Sequence, residues 1–162
     1  MANPVMRSHG LIWLSFIIAL ILQTTPWPGE LEHFRPSWVL LVTFYWVMAL
    51  PNRVNVGTAL ILGLLWDLIV GSTLGVRGLM MSLVIYFVAW NFQMLRNMSL
   101  WMQAALLTIA TLAAKILEFL AEYLLSNVTF DPNVMWAGLL NFLLWPWLFL
   151  LLRRVRRKLA IK

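Results

Sequence analysis

Few side chains in this sequence of 162 residues can do chemistry, and the ones that can are grouped. Lys115, Glu118 and Glu122 follow at steps of three and four. Ala104, Thr108 and Thr111 carry the same spacing back along the chain, so all six share one narrow face of a helix. Lys115 and Glu118 can pair within that helix, and Glu122 lies one turn further on. A smaller group repeats the logic: Ala59, Gly63 and Asp67 are spaced by four, and "GSTLGVRG" then brings Arg77 round a turn. A carboxylate at the end of an apolar run is costly unless it is compensated, and Arg77 or Lys115 can compensate Asp67. These groups can form either a self-satisfied buried ion cluster or the polar lining of a pocket. Catalysis finds no support. His9 and His33 lack metal-ligand spacing, no Ser has a His partner, no phosphate-binding Gly loop is present, and Cys is absent. The residues therefore read as those of a protein that is not an enzyme and uses no cofactor or metal.

The elements that must position these groups are set by composition. With 62% hydrophobic and 11% charged residues and a mean hydropathy of +0.85, the chain is expected to live in a bilayer. Backbone groups in hydrocarbon must be satisfied internally, and long apolar runs without period-two alternation select helices over a barrel. Six spans are expected, at roughly 11–25, 37–50, 56–70, 74–90, 100–125 and 134–152, forming one transmembrane domain over 1–162. Spans two and three fall short of the roughly 20 residues of a straight crossing, so they extend, are shielded by protein, or form a re-entrant hairpin. The first span resembles a signal peptide without a small-x-small cleavage site and reads as an uncleaved helix.

Charge gives orientation. The net charge of +6 and the pI of about 10.6 do not require a nucleic-acid partner, because the bases cluster at helix ends. Arg7, Arg53, Arg96 and the tail "RRVRRKLAIK" mark one side, expected to be cytoplasmic together with both termini. Glu30, Glu32 and Asp131 fall on the other. The tail reads as a topology anchor against membrane lipid, and Trp27, Trp38, Trp90, Trp101 and Trp136 as interfacial anchors. Gly71 and Gly75 make a GxxxG that spans a turn, so a tight reversal is expected there, with homodimerisation as the competing use.

The segments "FRPSWVLLVTFYW", "LPNRVNVGTALILGLLWDLIVGSTLGVRGL" and "LLNFLLWPWLFLLLRRVRRK" resemble MreD, the rod shape-determining membrane protein family of bacteria, over essentially the whole chain. The resemblance implies an all-α, six-helix transmembrane bundle of the bacterial inner membrane, similar to the S components of energy-coupling-factor transporters. It further implies binding to MreC, and through it connection to MreB, RodA and the penicillin-binding transpeptidase of wall elongation. By position, Arg35, Pro36, Asp67, Gly71, Gly75 and Arg77 match the family pattern. Two functions follow as expectations. One is a non-catalytic scaffold that maintains rod shape, docking a partner helix on small-residue faces such as Ser15, Ala19 and Gln23 or Ala59 and Gly63. The other is a small-solute-binding or transport protein using the polar pocket.

Overall fold

A computed structural model describes the backbone of residues 4–159 and the side chains of residues 8–159. The Arg7 side chain and Lys162, counted above among the bases, lie outside the described residues. Every element among the described residues is helical. The α-helices are α1 Pro4–Thr24, α2 Trp38–Ala49, α3 Val56–Val70, α4 Val76–Trp90, α5 Phe92–Asn97, α6 Leu100–Ser126 and α7 Val134–Lys158. A 3-10 turn, Gly29–Phe34, lies between α1 and α2.

Local chemistry sets the helix ends. At the close of α1 the Thr24 and Thr25 hydroxyls donate to the carbonyls of Leu20 and Ile21, and Pro26 and Pro28 follow, which cannot continue a helical ladder. Asn55 opens α3 with a capping box, accepting the N–H groups of Gly57 and Thr58 while Thr58 Oγ1 receives the Asn55 N–H. Ser99 caps α6, and Asn127 ends it in the left-handed region at φ 50°.

The helices exceed the apolar spans in three places. α1 begins at Pro4, where a proline suits a first turn. The connection "NFQMLRNMS" holds the short helix α5. α7 continues past residue 152 to Lys158, because Arg and Lys are good helix formers and suit the negative end of the helix dipole.

The two short segments differ in surroundings. α2 is 12 residues, about 18 Å at 1.5 Å per residue, and ten of them, Val39 through Met48, are buried. It packs against α1, α4, α5, α6 and α7, so protein shields it on all sides. α3 instead leaves Leu60, Ile61, Leu65, Leu68 and Ile69 exposed. The core forms around α2. Phe44 meets Trp145 edge-on at 5.1 Å, Tyr45 meets Phe149 at 5.4 Å, and Trp46 Nε1 donates to Ser15 Oγ on α1 at 2.9 Å. Ser15 of α1 is thus already engaged with α2, and Ala19 is buried.

Polarity is inverted relative to a water-soluble domain. Large apolar residues are exposed along α1, α3, α4, α6 and α7, whereas Asp67, Gln103, Thr111 and Asn141 are buried. α6 and α7 are each long and apolar enough to cross a membrane, and α3 and α4 are shorter apolar helices.

Candidate functional site

The site is built on the hairpin of α3 and α4. Gly63 makes it possible: a methyl group there would lie 2.6 Å from the Gly78 nitrogen and 2.8 Å from the Arg77 carbonyl carbon. The Ala59, Gly63, Asp67 face is therefore turned into the chain. Gly63 is taken up by α4 and Ala59 is fully buried, so this face is not open to a partner helix. Gly71 and Gly75 adopt φ values of 69° and 96°, which reverse the chain between the helices. A GxxxG dimer face needs both glycines in one helix, and here they flank the turn.

Asp67 closes that turn from inside. Its backbone carbonyl accepts the N–H groups of Gly71 and Ser72 at 2.9 and 3.2 Å. Its Oδ2 accepts the Gly75 N–H at 2.9 Å, at the N-terminus of α4, where a negative group is favoured. Its Oδ1 accepts from Ser72 Oγ and from Arg77 Nη1, each at 3.2 Å. Arg77 Nη1 also donates to Ser72 Oγ. Between the two candidates for compensating Asp67, Arg77 makes the contact, and Lys115 Nζ pairs with Glu118 Oε2 at 3.0 Å.

Arg77 carries the cluster across to α6. Its Nε lies 2.9 Å from Glu118 Oε1, off the N–H direction, so the contact is an ion pair and not an aligned hydrogen bond. Its Nη2 is 3.9 Å from Glu122 Oε1. Side-chain exposure climbs from 0% at Asp67 through 12% at Glu118 to 26% at Glu122, so the cluster grades from sealed to wet along one direction. Trp66 stands beside both cations, with Arg77 Cζ 5.2 Å and Lys115 Nζ 5.7 Å from its ring centroid, a cation–π geometry.

A cavity of about 310 Å³ opens beside this cluster, and Gln23, Arg35, Ser37, Trp66, Arg77 and Lys115 are in its wall. Arg35 arrives through the 3-10 turn, bonded to Glu32 Oε1 at 2.8 Å and to the Gln23 carbonyl. Pro36 is buried just before α2, and its carbonyl accepts the Trp38 N–H. The structure thus brings Arg35, Arg77 and Lys115 to one cavity, with Glu118 lining a small space next to it. Asp67, Ala59, Gly63, Gly71 and Gly75 stay behind that wall as its support. Among the described residues no group of three His, Asp or Glu side chains could hold a metal.

Several polar residues outside the expected set tie the helices together. Asn141 of α7 accepts the Ser37 N–H at 3.0 Å and donates to Thr111 Oγ1 at 3.1 Å, tying α2, α6 and α7 together. Gln103 accepts from Trp145 Nε1 at 3.3 Å and donates to the Leu95 carbonyl at 2.8 Å. Each is a lone amide in an apolar run, "LLNFLLWPW" and "WMQAALL", and that isolation was the available signal. Ser72 gave none, since a serine after a C-terminal glycine is ordinary turn chemistry.

Comparison with known proteins gives the family. Residues 6–155 match the family described as rod shape-determining protein MreD. The rod shape-determining protein MreD of Haemophilus influenzae is 43% identical over 146 residues, covering 90% of each chain. No solved structure matches. Matched over nearly its full length, the all-helical chain that buries Asp67 under Arg77 belongs to the MreD family of membrane proteins, determinants of rod cell shape.

Proposed function

We propose that the protein is a non-catalytic scaffold of the inner membrane that binds the transmembrane helix of MreC and thereby couples wall elongation to rod shape. In this reading the chain crosses the membrane six times, as α1, α2, α3, α4, α6 and α7, in an S-component-like bundle with both termini cytoplasmic. Family membership supports the role in cell shape. MreB, RodA and the penicillin-binding transpeptidase are reached through MreC.

The observation that carries the reading is a cleft between α1 and α7. These helices flank α2 but are not among the closely packed pairs, and the gap of about 420 Å³ is lined almost wholly by apolar side chains. Leu14 and Ile18 stand on one wall, Trp147 and Leu151 on the other, and Val42 is in the floor. Lipid offers no hydrophobic drive for association, so an uneven apolar surface that packing can fill suits a helix better than a smooth one. The small residues Ser15 and Ala19 line the cleft as well, which gives part of the α1 face a docking role alongside its contact with α2.

Co-purification tests this. Ile18→Trp with Leu151→Trp fills the cleft and should abolish MreC capture at unchanged protein level, whereas Leu68→Trp on the exposed side of α3 should not. Equal capture by all three proteins would overturn the cleft as the docking site. A second reading, binding of a small solute, is favoured by the 310 Å³ polar cavity. A solute retained by the wild type and lost on Lys115→Met, with MreC capture intact, would support it.

A further inference from the structure

The opposite end of the molecule carries a second polar cavity that no role described so far uses. It measures about 240 Å³ and lies between α2, α5, α6 and α7, with Tyr45, Arg96, Arg153 and Arg156 as its polar wall and Met48 and Phe149 as its apolar one. Three guanidiniums from two helices converge on it. The sequence contains only six acids, and none is at this end: Asp67, Glu118, Glu122, Glu30, Glu32 and Asp131 all lie toward the other, where those in ion pairs engage His33, Arg35, Arg77 and Lys115. Among the described residues no carboxylate meets the positive charge here.

A second observation is independent of the charge. Tyr45 lines this cavity and is 2% exposed, and its hydroxyl has no hydrogen-bond partner among the described residues. Buried polar groups in folded proteins are nearly always bonded, so an unpartnered hydroxyl beside a cavity points to a bonding group that occupies it. Gln103, also in the wall, does not compete, because its amide is committed to Leu95 and Trp145. The required occupant accepts a hydrogen bond from a phenol, carries negative charge and presents several oxygens to arginine forks. Phosphate meets all three demands, and arginine matches it bidentately.

We infer that Tyr45, Arg96, Arg153 and Arg156 form a binding site for a phosphate group, that of an anionic phospholipid headgroup. Tyr45 and one guanidinium hold phosphate oxygens, the remaining arginines neutralise the charge, and Met48 and Phe149 meet the first methylenes beyond the headgroup. The space is several times the roughly 30 Å³ share of a water molecule, enough for a phosphodiester. The site depends neither on MreC binding nor on which side of the membrane this end faces. It also differs from general attraction of a basic tail to an acidic surface, because Arg154 and Arg157 on the same helix are not in the wall.

The test is native mass spectrometry of the full-length protein released from nanodiscs of equal phosphatidylcholine and phosphatidylglycerol. Wild type should retain phosphatidylglycerol at least tenfold over phosphatidylcholine. Arg153→Gln with Arg156→Gln should lose that preference about tenfold, and Arg154→Gln with Arg157→Gln, which removes the same charge, less than twofold. Tyr45→Phe changes no charge and should lower retention severalfold, and Arg96→Gln, an exposed position, does so without disturbing the core. Competition with glycerol 3-phosphate separates the sources: no displacement supports the lipid, and complete displacement at micromolar concentration replaces it with a soluble phosphate ester. Equal loss in the two double variants, or no preference in wild type, would overturn the site.

Discussion

Asp67 accepts bonds from a hydroxyl, a guanidinium and a backbone N–H, so its carboxylate is consumed in holding the α3–α4 turn and in aiming Arg77. Removing it leaves the Arg77 guanidinium with Glu118 at 2.9 Å and Glu122 at 3.9 Å, but takes the carboxylate from Nη1 and the acceptor from the Gly75 N–H. Asp67→Ala should therefore destabilise by roughly 1 to 3 kcal/mol, the cost of leaving buried donors unmet, read as a fall in melting temperature by fluorescence-detected gel filtration. Glu122→Gln, at 3.9 Å and more exposed, should cost less than about 1 kcal/mol in the same assay. Asp67→Ala with Arg77→Leu should be milder than the sum of the single changes, because the Asp67–Arg77 contact is then lost once and not twice. At this scale the sequence was readable where the chain itself brings groups together. Ten residues and two glycines imply that Arg77 returns to Asp67. That it continues to Glu118 depends on α4 packing beside α6, which no local spacing encodes. Lys115, the other candidate for Asp67, is claimed by Glu118 on its own helix, the pairing that their three-residue spacing allows.

Among the elements, the α3–α4 hairpin is the tightest joint, and Gly63 is its test. Gly63→Ala forces a methyl against the Gly78 backbone, which cannot yield as a side chain would, so the two helices must separate. Overpacking of this kind costs about 1 to 3 kcal/mol or more. Gly10→Ala has open space around it within α1 and should be neutral or slightly stabilising in the same melting assay. Hydrophobicity located α3, α4 and α6 to within two residues because their ends coincide with turn glycines, Asn55 and Ser99. It misplaced the end of α7 and missed α5, since the boundary of lipid-compatible residues and the boundary of a helix are different physical limits.

For the molecule as a whole, charge is divided between two ends: the acids lie toward the Trp66 cavity, where Arg35, Arg77 and Lys115 offset them, and the arginines beside Tyr45 are without them. If this division sets orientation, a reporter placed between Glu30 and Glu32 should be active only outside the cytoplasm and one fused after Lys158 only inside it. Reversed signals would refute this orientation, and signals on the same side would refute the six-span arrangement. The sealed helix α2 has one more consequence, and it concerns the order of synthesis. Its covering layers include α6 and α7, which the ribosome makes last, and Asn141 and Trp145 on α7 complete its polar cap and its aromatic packing. Until α7 emerges, α2 is covered by α1, α4, α5 and α6 but lacks its last wall, and the half-made protein carries an open seam that quality-control proteases can grip. A chain ending at Ser126 should be cleared from cells within minutes of synthesis, followed by pulse-chase, while full-length protein persists; completion of the last helix is thus the molecule's own signal that it has been fully made.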